Sequence, residues 1–156
     1  MTKAIRIYEH GGTETLKYED IDIGKVGNNE VRLRHTNIGL NYIDIYQRSG
    51  LYPIGDLPKT LGMEAAGIIE EVGSDVKDFK VGDRVAYAMG LGSYCEERIW
   101  GTDRLVKLPD TVEDQTAAAM LLQGMTAYYL LNRTYKVNAG DTILIYAAAG
   151  GLGLIA

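Results

Sequence analysis

At 156 residues and 46% apolar composition, the chain is long and apolar enough to bury one core, which excludes an intrinsically disordered protein. The net charge of −5 comes with both signs mixed along the chain, and no basic block points to nucleic acid or to an anionic membrane. A single cysteine, Cys95, excludes an internal disulfide framework and any multi-cysteine zinc site. No apolar run approaches a membrane span or reads as a cleaved leader, so the expectation is an acidic, soluble, cytoplasmic protein.

The first two-thirds reads as β structure. "KAIRIY" is a short strand ended by "HGG". "EVRLRHTNIGL" puts Val31 and Leu33 on one face and Arg32 and Arg34 on the other, the pattern of a half-buried strand. "EAAGIIEEVG" is a second apolar strand closed by Gly73, and "FKVGDRVAYA" gives a Gly82-Asp83 turn followed by another. "SYCEERIW" and "RLVKLP" follow at short intervals. The nineteen glycines against three prolines lie singly or in pairs between these runs, so they mark tight turns rather than a linker. Many short strands with regular turns predict a small barrel or a rolled sheet.

Two segments depart from this. "NYIDIYQRSG" predicts a short helix ending at Gly50, with Tyr42, Ile45, Tyr46 and Ser49 on one face. After Pro109 the chain turns Ala-, Leu- and Met-rich, with Glu113 and Asp114 where a helix N-terminus favours acids. Gly124 is expected to divide this stretch into two helices. "TILIYAA" then reads as a buried strand leading into a glycine turn and a helix start. The composition shift marks a domain boundary near residues 109–125.

Ala148, Gly150 and Gly153 have the A-x-G-x-x-G spacing of a dinucleotide fingerprint. Small residues let the backbone approach a pyrophosphate, and the helix start offers N–H groups to it. The competing reading is an ordinary strand-to-helix turn. The acidic residue that would read a ribose hydroxyl, roughly 20 residues further on, lies beyond Ala156, so the sequence itself does not separate NAD from NADP.

"GLNYIDIYQRSGLYP", "LGMEAAGIIEEVGSDVKDFKVGDRVAY", "AAAMLLQGMTAYYLL" and "AAAGGLG" occur in that order. Together they resemble the zinc-independent quinone oxidoreductases of the medium-chain dehydrogenase/reductase superfamily, the zeta-crystallin-like group, over nearly the whole chain. The resemblance implies a mostly β fold with some α: a GroES-like, partly open β-barrel over residues 1–124. The start of a Rossmann α/β domain follows over residues 125–156. It implies NADPH as cofactor, a quinone or conjugated carbonyl as substrate, a homodimer as the intact form, and a full length about twice this one. On that reading the chain is the N-terminal half of the enzyme and is expected to be inactive alone.

The resemblance also assigns residues. Asn41, Tyr46 and Tyr52 are the implied catalytic groups, the tyrosines as phenol donors to a carbonyl oxygen gaining charge. Asn41, Tyr42, Ile43, Asp44, Tyr46, Gln123, Thr126, Ala148, Gly150, Gly151, Leu152 and Gly153 are the implied cofactor contacts. Each has a plainer alternative: Asn41 as a helix cap, the tyrosines as packing residues, Thr126 bonded to an earlier carbonyl. No metal is expected. Asn41 and Met63 stand where zinc-containing members of the superfamily carry Cys and His, and with Glu64 they make no tetrahedral zinc site. His35 reads as structural and Cys95 as a packing residue. Two other functions stay open: a non-catalytic GroES-like binding module, and an enoyl or alkenal reductase of the same fold.

Overall fold

The computed structural model describes residues 1–156. Its eight strands are β1 (Thr2–Ile7), β2 (Lys17–Ile21), β3 (Glu30–Ile38), β4 (Lys59–Thr60), β5 (Glu64–Val72), β6 (Arg84–Ala88), β7 (Glu97–Gly101) and β8 (Val106–Lys107). Its α-helices are α1 (Tyr42–Ser49), α2 (Asp114–Tyr129) and α3 (Gly151–Ile155). The strands form two antiparallel sheets, ordered β2-β1-β4 and β7-β3-β5-β6-β8. An Ala4–Cys95 bridge joins them, flanked by Ile5 N–H to Tyr94 O at 2.8 Å and Glu96 N–H to Lys3 O at 2.9 Å. The result is the expected mostly β, partly open barrel.

Alternation decides which face is inside. Val31 and Leu33 of β3 are buried with Ala65 and Ile69 of β5, Val85 and Tyr87 of β6, and Leu105, while Arg34 stays exposed. A second cluster seats α2 on the sheet: Ala66 and Ala86 meet Ala117 and Ala118. Methyl-sized side chains on both partners let the helix lie close. Asp114 fixes its start, pairing with Arg84 Nη2 at 2.6 Å and accepting from Thr36 Oγ1 at 2.6 Å.

Two expectations are corrected here. Helix α2 runs unbroken through Gly124 and continues into a π-type turn at Leu130–Thr134. Glycine weakens a helix by only about 1 kcal/mol, too little to end one that is anchored on a sheet. Residues 142–148 form no strand, because no neighbour completes a ladder with them; apolar β propensity needs a partner to become a strand. In α1 the face shared by Tyr42, Ile45, Tyr46 and Ser49 is the outward one. Asp44 and Gln47 are buried, whereas Tyr42 is 76% exposed and Ile45 39%.

Candidate active site

Helix α1 begins at Asn41 and stops at Gly50, whose left-handed φ of 83° suits glycine. Asn41 and Asp44 stand in a capping-box relation: the Asp44 carboxylate accepts Asn41 N–H at 2.8 Å, and the Asn41 side chain faces the Asp44 N–H. Asp44 also accepts from the Tyr94 hydroxyl at 2.7 Å. Its burial raises the carboxyl pKa above the ordinary value, and those two donors oppose the rise. Gln47 donates to Met63 Sδ at 3.4 Å. The polar side of α1 is thus tied down, which leaves its tyrosines outward. Tyr42, Tyr46 and Tyr52 form a row with ring centroids 6.3 and 5.2 Å apart.

Asn41 Nδ2 donates to Glu64 Oε1 at 2.7 Å, and Leu122 N–H of α2 donates to Glu64 Oε2 at 2.7 Å. Glu64 is 1% exposed, and burial raises its carboxyl pKa against these two hydrogen bonds. Between the two helices opens a cavity of about 680 Å3. Asn41, Tyr42 and Ile43 line one wall, Gln123 and Thr126 another, and Gly150, Gly151, Leu152 and Gly153 a third. Apolar side chains including Leu130, Val137 and Ile145 line the rest. Nine of the twelve sequence-assigned cofactor contacts therefore meet around one space. Asp44, Tyr46 and Ala148 do not line it, nor does Tyr52. The Tyr46 ring neighbours that of Tyr42, which lines the cavity, and Asp44 is on the buried side of α1.

The glycine turn is tight. A Cβ on Gly153 would stand 2.6 Å from both the Ala147 and Ala148 carbonyl oxygens, and one on Gly151 would stand 2.8 Å from Gln123 Cδ. Ala147, at φ 52°, carries the left-handed bend that precedes them. Thr126 Oγ1 donates to Leu122 O at 2.8 Å, the plainer of its two readings, while the same side chain lines the cavity.

The remaining candidates are structural. His35 Nδ1 bonds Cys95 O at 2.7 Å and its Nε2 meets the Tyr87 hydroxyl at 3.0 Å; burial pulls its pKa down to about 4, so the ring is neutral. Tyr87 in turn accepts from Arg98 at 3.0 Å. The Arg98 guanidinium is buried on the Trp100 ring at 3.8 Å. Burial pushes the Cys95 thiol up to about 11, the opposite of a reactive cysteine. What the sequence reading missed is Glu64 as a link between the two helices. Its signal was a carboxylate inside the small-residue run "GMEAAG", where an uncompensated charge is costly.

Residues 27–145 match the model of the alcohol dehydrogenase GroES-like domain family. A quinone oxidoreductase of Pseudomonas aeruginosa is 52% identical over 100% of this chain and 48% of its own length. A 2-haloacrylate reductase of Burkholderia is 44% identical over 99% of this chain and 48% of its own. The crystal structure of Escherichia coli quinone oxidoreductase complexed with NADPH superposes with a TM-score of 0.94 at 44% identity, over 97% of this chain and 47% of that one. The chain spans about half the length of the curated relatives it matches. It belongs to the alcohol dehydrogenase GroES-like domain family, and its relatives include the quinone oxidoreductases to which the sequence resemblance pointed.

Proposed function

We propose that the protein reduces quinones with NADPH, and that this chain supplies the nicotinamide side of the site. The carrying observation is the single cavity shared by Asn41, Tyr42, Gln123, Thr126 and Gly150–Gly153. These residues fit a dinucleotide. A Cβ at Gly153 would meet the turn's own Ala147 and Ala148 backbone and one at Gly151 the end of the Gln123 side chain. With only glycine there, bare backbone lines the cavity, as close approach of a pyrophosphate needs. NADPH, when bound, supplies the hydride. In this reading residues 1–124 act as the catalytic domain and residues 125–156 open the dinucleotide domain, with α2 crossing the junction. The reading includes a cytoplasmic location and a homodimer.

The chain's own residues orient and polarise. Thr126 Oγ1 already donates to Leu122 O, which leaves its lone pairs to accept from a carboxamide N–H. A cofactor seated against the apolar lining would displace water from it, which strengthens each polar contact made there. Tyr46 and Tyr52 continue the row of rings that begins at Tyr42 on the cavity wall. A phenol donates its proton to the quinone oxygen as hydride arrives, and solvent replaces that proton, so quinone, one hydride and one proton give hydroquinone. No step needs a metal: Asn41 is bonded to Glu64 and Met63 to Gln47, at the positions where zinc relatives carry ligands.

A second reading has its own support, the 44% identity to a 2-haloacrylate reductase: hydride delivered to a conjugated C=C. The test is NADPH oxidation by the full-length protein against quinones and conjugated alkenes, before and after prolonged chelation. Quinone turnover that chelation leaves unchanged is the expected result. Turnover of alkenes alone selects the second reading. A chelation-sensitive, zinc-restorable rate defeats the metal-free mechanism. NADPH left unoxidised by every acceptor would make this a non-catalytic binding module.

A further inference from the structure

Glu64 is hydrogen-bonded to both walls of the cavity, yet it lines none of the space. Its two oxygens take one donor from each wall, Asn41 Nδ2 from the α1 side and Leu122 N–H from the α2 side. Leu122 precedes Gln123 and lies one helical turn before Thr126, so fixing its amide fixes where both point. Gly39 makes the approach possible: a Cβ there would overlap the Ala118 carbonyl and stand 2.7 Å from Glu64 Oε1.

We propose that Glu64 is the positioning residue of this cavity: by accepting from Asn41 and Leu122 at once, it sets the amide orientation of Asn41 and holds the α1 and α2 walls in register. The proposal rests on the cofactor reading given above. A carboxylate is the side chain that meets this demand, because it only accepts. Asn41 Nδ2 is held by Glu64, and its oxygen faces the Asp44 N–H, which donates to the Asn41 backbone carbonyl at 3.1 Å. A glutamine at position 64 has one accepting and one donating end. If its oxygen takes Leu122 N–H, its NH2 meets the NH2 of Asn41. If Asn41 flips to avoid that, its NH2 meets the Asp44 N–H. One buried donor is always left facing another, and an unmet buried donor costs more than a hydrogen bond contributes.

The same logic names a variant that restores the pattern without restoring the residue. In the double variant Asn41→Asp with Glu64→Gln, the aspartate accepts from the Gln NH2 and from the Asp44 N–H. The Gln oxygen accepts from Leu122 N–H. Every donor has an acceptor again and the total charge is unchanged. A role limited to filling space does not predict that the second change repairs the first.

The test uses the full-length protein and two independent readouts. In NADPH kinetics and binding, Glu64→Gln should raise the Kd and KM for NADPH about tenfold or more. The quinone KM should stay near wild type, because Tyr46 and Tyr52 are untouched. The double variant should recover most of that loss. In cofactor-free NMR, the Asn41 side-chain NH2 signal, identified by its disappearance in Asn41→Asp, should be shifted downfield and slow to exchange in wild type. It should lose both properties in Glu64→Gln. Wild-type NADPH affinity in Glu64→Gln, an unchanged Asn41 signal, or a double variant no better than the single one would each overturn the proposal. If Glu64→Gln does not fold, the double variant carries the test alone, and its failure to fold or to bind NADPH overturns the proposal. If wild type binds no NADPH, the cofactor reading fails, and the NMR result still decides whether Glu64 orients Asn41.

Discussion

Replacing Gly39 by alanine tests how the cavity walls are spaced. The new methyl would overlap the Ala118 carbonyl oxygen of α2 and lie 2.7 Å from Glu64 Oε1. Neither neighbour yields freely: Ala118 is helix backbone on a sheet, and Glu64 is held at both oxygens. Ordinary contact begins at 3.4 Å, so relief requires α2 to lift by about 1 Å. Leu122 N–H would then stand out of good hydrogen-bond range of Glu64, which it now meets at 2.7 Å. Overpacking of this kind costs about 1–3 kcal/mol, and the loss of a donor from a buried carboxylate adds about 1.5–3 kcal/mol. The expected total is roughly 3–5 kcal/mol. Urea unfolding of Gly39→Ala against wild type measures it, with NADPH affinity read on the same samples. Wild-type stability together with wild-type affinity would refute the reasoning, since the close approach would then be dispensable.

Tyr46→Phe and Tyr52→Phe should keep the fold and lower quinone turnover, by about 10²–10³ for a donor that meets the charged oxygen; full activity of both with several quinones makes them packing residues. His35 has a folded-state pKa of about 4 against an ordinary 6.5, so the unfolded chain takes up its proton first as pH falls. Stability from neutral His35 is complete above about pH 6.5 and is lost toward about pH 4, amounting to about 2 kcal/mol by pH 5. Urea midpoints at pH 7.5 and 5 for wild type and His35→Gln measure it, and equal pH dependence in the two proteins would contradict the assignment.

The barrel was legible because period-two alternation and glycine turns are local signals: Val31 and Leu33 against Arg32 and Arg34 already named the faces of β3. The ends of α1 were legible for the same reason, through Asn41 and Gly50. What was not legible depends on tertiary partners. The helical spacing of Tyr42, Ile45 and Tyr46 showed that they share a face but not which way it points; Asp44 and Gln47 turn inward because Tyr94, Asn41 and Met63 bond them there. Gly124 read as a break, and packing on the alanine cluster carried α2 through it. "TILIYAA" has the composition of a strand and no ladder neighbour. The cofactor residues came from a resemblance, and the fold gathers nine of them around one cavity. Glu64 escaped notice because its two partners lie 23 and 58 residues away in the chain.

The central claim is that this cavity seats the nicotinamide half of NADPH, and a crystal structure of the full-length protein with NADPH tests it most directly. The account predicts the nicotinamide between Asn41 and Thr126, with the pyrophosphate against the bare backbone of Gly150–Gly153. NADPH bound elsewhere, or bound with Asn41 and Thr126 out of reach of the nicotinamide, would contradict it.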